Sequence, residues 1–286
     1  MDDIVKPKQD VVFKKMFADE NNKELLIDLI ASLMDLKKDY VKDVTVLNPE
    51  ITPESVSEKF SRLDILMSTK DRTVDLEMQT TDSSDFVDKE LVYWAKMCAQ
   101  DVPKGKPYGE LRQNISISIL DFDHNKFHHS DYDSLFTLYD TKHKLQLTNK
   151  CAFFFFELNK LRNLKKDISE FSQKELWLKL INSESREDLN MLKELNNPIM
   201  NEAVNVVSNM SSDPTVRELI RQREFAEHEE ASRIKEAMEK RDSELVANMK
   251  AMGLSDEQIK LALNGPGAVA KNAQAQKKTP PKHGGR

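Results

Sequence analysis

Glycine and cysteine are scarce in this chain. The 286 residues include only 7 glycines, which argues against a fold rich in tight turns and fits a high helix content. The two cysteines, Cys98 and Cys151, each lie among apolar residues. We expect two buried free thiols, although a disulfide between them stays open, and this sparse cysteine use favours a reducing cytoplasm.

Long apolar runs and an excess of positive charge are missing as well. No segment approaches the length of a transmembrane helix, and residues 1–6 do not have the basic and apolar regions of a signal peptide. We therefore expect a cytoplasmic protein that does not associate with a membrane. The net charge of −6 argues against coating nucleic acid by bulk charge, but it is compatible with a local basic groove.

Charged residues are abundant instead. They form 32% of the chain, and hydrophobic residues form 39%, a balance typical of soluble proteins with long polar helices. The length suits one large domain or two modest ones, and it is ample for a sizeable core.

The spacing of apolar residues predicts helices and strands up to about residue 181. Helical spacing occurs in 9–36, with a break at 19–22, in 85–100 and in 171–181. Strand-like runs occupy 41–47, 62–67, 73–79, 114–122, 135–139 and 151–158. The run at 151–158 is too apolar for an edge strand that faces water. This order predicts an α/β or α+β domain in which helices flank a mixed sheet.

The character of the sequence changes towards the C-terminus, and we place the end of the first domain at residue 209. Residues 216–252 predict a long charged helix, either a weak coiled coil or a helix laid on the domain. A capping box from Ser255 to Gln258 opens a last short helix. We assign 210–264 to self-association or partner binding, and 265–286 to a disordered basic tail.

The most informative feature is a pair of acids on two neighbouring strands. If residues 69–72 form the loop of a hairpin, counting outward places Asp64 directly opposite Glu77. Two carboxylates in this position repel each other. A bound Mg²⁺ or Mn²⁺ ion would remove the conflict, because these ions prefer oxygen ligands, and the main-chain carbonyl of Met78 is a candidate third ligand. The alternative is a solvated acidic face of an exposed hairpin.

Five short motifs follow one another in a fixed order, and the third of them contains this pair. They are Asp10-Val-Val-Phe13-Lys14-Lys-Met-Phe17, Leu47-Asn48-Pro49-Glu50, Asp64-x12-Glu77-x-Gln79, Gly105-Lys-Pro-Tyr108-Gly-Glu-Leu111 and Ile115-Ser-Ile-Ser-Ile119. Each motif alone is weak. Their order resembles the recombination-promoting (Rpn-type) nucleases, the transposase-like branch of the PD-(D/E)XK nuclease superfamily. The likeness covers residues 8–160 and, more loosely, the charged helix and the Gly-Leu-Ser sequence after it.

The resemblance implies a restriction-endonuclease-like fold and a metal-dependent DNA endonuclease. Asp64 and Glu77 would ligate Mg²⁺, with Mn²⁺ as a substitute, and water would attack phosphorus in line. Gln79 stands where the superfamily usually has lysine. Its amide can hydrogen-bond a water or a phosphate oxygen, but it carries no charge and cannot act as a base. The closer relatives commonly have glutamine here. The glutamine therefore bears on the rate of cleavage more than on the presence of the metal site.

DNA contacts are expected from the helix after the hairpin. Lys89, Tyr93 and Lys96 follow one another at four- and three-residue steps and therefore share one face. Lysines there would hold phosphate, and Tyr93 would orient it. Lys14 is a similar candidate from the first helix, and an ordinary solvated helix face is the alternative for all of them. Two further acids are weaker candidates near the metal: Asp10 and Glu24.

Two other classes of function stay open. The domain can keep the nuclease fold yet work as a DNA-binding or protein-binding module without turnover, with Gln79 as the sign of lost catalysis. In the other interpretation the C-terminal helix is the main functional part. If the protein is a nuclease, we expect this helix to join copies of the chain, since two active sites are often needed to cut two strands.

A cluster of histidines between two predicted strands resembles a metal site only superficially. His124, His128 and His129 do not have the spacing of a structural zinc site, and no cysteine joins them. We therefore predict a polar surface loop.

Overall fold

The structure, a computed structural model, describes residues 4–47, 64–102, 105, 107–260 and 262. The chain divides into two compact units, with the division between Arg223 and Glu224. The boundary that the sequence predicts between residues 209 and 210 stays a prediction. The predicted tail at 265–286 lies outside the described residues.

The first unit alternates helices and strands. Its helices are α1 (Asp10–Phe17), α2 (Lys23–Leu33), α3 (Phe86–Asp101), α4 (Leu158–Leu161), α5 (Gln173–Ile181), α6 (Arg186–Glu194) and α7 (Pro198–Ser212). Its strands are β1 (Thr45–Val46), β2 (Ile65–Ser68), β3 (Arg72–Gln79), β4 (Gln113–Leu120), β5 (Asp133–Phe136), β6 (Tyr139–Asp140), β7 (Leu145–Gln146) and β8 (Cys151–Glu157).

Six strands form one mixed sheet in the order β1-β2-β3-β4-β8-β5, and β6 pairs with β7 in a separate hairpin. The central strands β3, β4 and β8 are parallel, whereas β2 and β5 run antiparallel to their neighbours. The predicted mixed sheet with flanking helices is therefore confirmed. The apolar strand β8 lies inside the sheet, as its composition indicates.

One face of the sheet carries the main hydrophobic core. Alternate residues of β3 and β4 point to this face, and helices α1, α2, α5 and α7 cover it. Representative buried members are Val74, Leu76, Ile115, Ile117, Phe13, Leu29, Trp177 and Val207. Apolar side chains recur about every 3.6 residues in the helices and every two residues in the strands, so both kinds of element direct them into the same layer.

The opposite face of the same strands is polar and is nevertheless buried under α3. Residues of β3 on this face stand in register with polar residues of β4, as parallel pairing requires. The three pairs are Thr73 with Asn114, Asp75 with Ser116, and Glu77 with Ser118. Each of these side chains is at most 4% exposed. Burying polar side chains costs free energy unless they are hydrogen-bonded. This buried polar layer includes the acids of the candidate site.

Some elements differ from the sequence predictions. The strand expected at 41–47 is only Thr45–Val46, because Lys38–Tyr40 forms a 3-10 turn before it. The strand expected at 135–139 is displaced to Asp133–Phe136, where it pairs with β8. Helices α6 and α7 were not predicted. Helix α6 is so polar that its apolar stripe consists of little more than two buried leucines.

The long charged helix is confirmed as α8 (Pro214–Ala251). Within the second unit its large apolar side chains are exposed: Phe225, Ile234, Met238 and Leu245. The capping box is also present, since the Gln258 N–H donates to Ser255 Oγ at 3.3 Å and the Ser255 N–H donates to Gln258 Oε1 at 2.9 Å. This motif opens a short helix over 256–260.

Both cysteines are free thiols. Cys151 is buried as predicted, and Cys98 is half-buried. Burial, with the neighbouring Cys151 and Asp101, raises the pKa of the Cys98 thiol to about 11. In the part of the chain that the structure describes, no helix combines the length and apolar character needed to span a membrane.

Candidate active site

Asp64 and Glu77 meet where the β2–β3 hairpin opens. The turn is closed by the Thr69 N–H, which donates to the Arg72 carbonyl at 2.8 Å. The hairpin register runs from the pair Ser68–Thr73 to the pair Ile65–Leu76. The next residues outward are Asp64 and Glu77, which therefore stand opposite each other. The Asp64 N–H donates to Glu77 Oε1 at 3.1 Å. The predicted juxtaposition of the two acids is confirmed.

The main chain of Met78 also faces this pair. Its N–H donates to Asp64 Oδ2 at 2.9 Å. The N–H and C=O of one strand residue point to the same side, and the next carbonyl, that of Gln79, turns the other way to accept from the Asp121 N–H. The Met78 carbonyl therefore lies on the edge of β3 that faces β2, on the same side as its N–H, whereas its side chain packs in the core.

Gln79 stands on the same face of β3 as Glu77, two residues further on. Its Nε2 donates to Glu77 Oε2 at 2.9 Å. The amide thus orients the carboxylate.

Lys14, on α1, contacts Asp64. Its Nζ lies 3.1 Å from Asp64 Oδ1 and 2.8 Å from Asp10 Oδ1. Burial alone would lower the pKa of Lys14, but the two carboxylates raise it above its ordinary value. Asp10 Oδ2 also lies 3.6 Å from Nη2 of Arg223. Glu24, the other weaker candidate, is exposed in the first turn of α2.

Two further buried acids adjoin Glu77, and the sequence interpretation missed their role. Asp75 lies beside it on β3, and Glu90 enters from α3, where its Oε2 accepts from the hydroxyls of Ser116 and Ser118 at 2.9 Å each. Within the described residues, Asp75 Oδ1 and Glu90 Oε1 are buried with no hydrogen-bond partner. The site therefore holds more carboxyl groups than the motif alone indicates.

Burial dominates the electrostatics of these acids. It raises the pKa of Glu77 well above its ordinary value, and the charges of Asp64 and Glu90 raise it further. Burial likewise raises the pKa of Asp75, followed by the charge of Glu77. The pKa of Asp64 is raised by burial despite the opposing charge of Lys14. Neighbouring positive charges therefore balance the carboxylates only in part. A divalent cation binds favourably under this condition.

A periodicity signal for Glu90 was present. Glu90 follows Phe86 by four residues and precedes Trp94 by four, so a helix places it on their inward face. Leu91 and Ala95 are apolar positions of the same helix, but Leu91 is 53% exposed and Ala95 is exposed as well, so they do not mark its inward face.

Three of the four residues predicted to contact DNA, namely Lys89, Tyr93 and Lys96, share one face of α3. The Nζ atoms of Lys89 and Lys96 lie 5.4 Å and 5.6 Å from the centre of the Tyr93 ring. The shared face is therefore confirmed. The positive charge of Lys89 also opposes the rise in the pKa of Glu77.

The chain matches the family model of the PD-(D/E)XK nuclease family transposases over residues 7–237. It belongs to this family. The match spans the acid pair, Lys14 and α3, and it indicates a nuclease- or transposase-like function. No curated protein and no solved structure matched the chain.

The donor set of this PD-(D/E)XK family protein fits a small divalent cation. No group of three or more His, Cys, Asp or Glu side chains is arranged to hold a metal among the residues that the structure describes. An ion would therefore rely on Asp64, Glu77 and the Met78 carbonyl, with water and phosphate as further ligands. One or two carboxylates with waters and phosphate is the usual environment of Mg²⁺.

The histidine loop of the PD-(D/E)XK protein is not a wholly polar surface. His128 and His129 are exposed as predicted, but His124 is 4% exposed. Its ring packs edge-on against Phe86 and Phe127, and its Nδ1 lies 2.9 Å from Asp82 Oδ1. The prediction was wrong for His124, because Phe86 on α3, distant in the sequence, packs against its ring together with Phe127 of the same loop.

Proposed function

We propose that this protein is a Mg²⁺-dependent DNA endonuclease that hydrolyses phosphodiester bonds. The observation that carries the proposal is the placement of Asp64 opposite Glu77 at the open end of the hairpin, with the Met78 carbonyl on the same side. Membership of the PD-(D/E)XK family supports it. Mn²⁺ would replace Mg²⁺, because the ligands are all oxygens.

Each residue of the site has a separate task in this proposal. Asp64 and Glu77 hold the cation, and Gln79 keeps the Glu77 carboxylate in orientation through its hydrogen bond. When bound, the ion supplies positive charge at the phosphate under attack and favours ionisation of water. Lys14 is already paired with Asp64, so it would release that carboxylate and turn to a phosphate oxygen when the ion binds.

The α3 face would position the DNA backbone. Lys89 and Lys96 flank the Tyr93 ring, and each ammonium group can pair with one phosphate. The positive charge of Lys89 also opposes the rise in the pKa of both Glu77 and Glu90. The contacts that we propose are to the backbone and carry no sequence preference.

We further propose that the C-terminal helix joins copies of the chain. In α8 the exposed residues Ile234, Met238 and Leu245 follow at four- and seven-residue steps, which places them on one stripe. A stripe of this kind pairs with another helix, and two copies would supply one active site for each DNA strand. The free thiols agree with the cytoplasmic location that we propose.

The test is Mg²⁺-dependent nicking of a supercoiled plasmid by Asp64→Asn and Glu77→Gln. Both changes keep the side-chain volume, so we expect the fold to persist and cleavage to be abolished. Glu187→Gln, at an exposed acid in the first turn of α6, is the matched control and should cut like the parent. Cleavage by both site variants at the parent rate would refute the proposal.

The second candidate is a nuclease-fold module that binds DNA or protein without turnover. Gln79 favours it, because an amide does not supply the charge that lysine provides in the superfamily. Calorimetry with Mn²⁺ separates the two functions. No measurable Mn²⁺ binding by the parent, together with intact DNA binding, would select the module.

A further inference from the structure

Strand β5 forms one edge of the sheet and leads into the β6–β7 hairpin. The chain has no charged residue from Ser134 to Tyr139. Edge strands of natural proteins usually carry charges, proline or a bulge that prevents pairing with another chain. Six large apolar side chains of this region, here named the edge patch, are between 43% and 78% exposed: Leu135, Phe136, Leu138, Tyr139, Leu145 and Leu147.

The main chain of β5 is oriented to accept another strand. Towards β8, the Tyr132 carbonyl accepts from the Glu157 N–H at 2.8 Å. Bonded and non-bonded pairs alternate along an antiparallel ladder, so Ser134 and Phe136 bond to β8. The peptide groups of Asp133 and Leu135 consequently point to the outer edge. Among the described residues, no strand pairs with β5 on that side.

The size of the edge patch matches the apolar part of a dimer interface. At their observed exposure, six side chains of this size present on the order of 600 Å² of accessible surface. That is at the upper end of the largest apolar patch on a typical monomer, about 300–600 Å². A standard interface buries roughly 800 Å² on each partner, so the edge patch with a polar rim is large enough.

We propose that the edge patch is a self-association surface, on which β5 of a second copy adds antiparallel to β5. A two-fold axis generates this antiparallel pairing of a strand with its own copy. The two ends of the strand differ in charge. The chain enters β5 through Asp131 and Asp133, of which Asp133 also lies 3.4 Å from Lys174 Nζ, and leaves it towards a hairpin tip in which Lys142 and Lys144 outnumber Asp140. The antiparallel copy brings the acidic entry of one chain towards the basic tip of the other.

Pairing centred on Leu135 sets this residue opposite its own counterpart. Such bonded pairs have Cα atoms about 5.5 Å apart, which is within the span of a disulfide. The edge patch and the stripe on α8 share no residue, so each can be disrupted by its own substitutions.

The first test is cross-linking of the full chain carrying Leu135→Cys. Incubation with oxidised glutathione should produce a covalent dimer on a non-reducing gel, with two thiols oxidised and the glutathione disulfide reduced. Met191→Cys, on α6 at an apolar residue that is also exposed, is the control and should give no dimer. Equal cross-linking of the two variants would overturn the proposal.

The second test is the mass of the full chain in solution by sedimentation. The double variant Leu135→Lys with Leu147→Lys should have half the mass of the parent, at an unchanged circular dichroism spectrum, and Met191→Lys should keep the parent mass. Ile234→Lys tests the stripe on α8 in parallel. A monomeric parent, or an assembly that survives the double variant and is lost only in Ile234→Lys, would overturn the proposal.

Discussion

The side-chain amide of Gln79 holds the carboxylate of Glu77. Its Nε2 donates to Glu77 Oε2 at 2.9 Å, while the Asp64 N–H donates to Oε1 at 3.1 Å. Both oxygens of Glu77 are therefore oriented by donors of the β2–β3 hairpin, and neither donor carries a positive charge. A lysine at position 79 would neutralise part of the acid pair. Glutamine orients Glu77 without neutralising it, which agrees with the cation site that we propose.

Removal of this amide should weaken metal binding without unfolding the protein. We expect Gln79→Ala to lower the affinity for Mn²⁺ by about 10–100-fold, the usual effect of losing a group that orients a ligand. Isothermal calorimetry measures the affinity. Gln222→Ala, at an exposed glutamine of α8, is the control. An unchanged affinity in Gln79→Ala would show that Glu77 needs no orientation by the amide.

A divalent cation should stabilise the parent against heat. Binding to the folded state alone contributes about 2.7 kcal/mol when the free ion is at a hundred times its Kd. We expect Mn²⁺ to raise the Tm, EDTA to reverse the rise, and Glu77→Gln to lose most of it. Scanning calorimetry measures this. An equal rise in parent and variant would place the ion elsewhere.

The buried acid Glu90 should make stability depend on pH in a defined direction. Burial raises the pKa of Glu90 in the folded state, although the Ser118 and Ser116 hydroxyls and Lys89 oppose the rise. The folded state then binds this proton more tightly than the unfolded state. The resulting stabilisation is complete below the ordinary glutamate pKa of about 4.3 and is lost as pH rises through the raised pKa.

Glu90→Gln removes this titration. In metal-free buffer we expect the free energy of unfolding of the variant, relative to the parent, to increase as pH rises from 4 towards neutrality. Urea unfolding at a series of pH values gives this difference. The control Glu187→Gln, at an exposed acid, should show no such trend. A constant difference between Glu90→Gln and parent would mean that Glu90 titrates as if it were exposed.

Lys89 should contribute one phosphate contact. We expect Lys89→Ala to weaken DNA binding at low salt and to reduce the slope of log affinity against log salt by about 1. The measurement is fluorescence anisotropy in a Glu77→Gln background, which keeps the DNA uncut. Lys193→Ala on α6 should leave both the affinity and the slope unchanged. The same slope in Lys89→Ala and parent would remove Lys89 from the DNA interface.

The acid pair could be predicted from sequence because its geometry is local. A short turn sets the register of a hairpin, and the two-residue period of strands does the rest. The same holds for the lysines and tyrosine of α3, which share a face through helical periodicity alone. Long helices and the apolar strand β8 were also predicted, since their signals lie within the elements themselves.

Other features depend on contacts between distant parts of the sequence. Lys14 reaches Asp64 from α1, Glu90 accepts from serines 26 and 28 residues away, and His124 is enclosed by rings from α3 and from its own loop. The pairing of the strands and the packing of α1 and α3 on the sheet create these contacts, and no local pattern encodes which elements lie side by side. A hairpin is specified by its own few residues, whereas burial of a charge is specified by whatever packs over it. The sequence therefore predicted the two acids, and the packing of α1 and α3 against the sheet established how deeply they are buried and which cations face them.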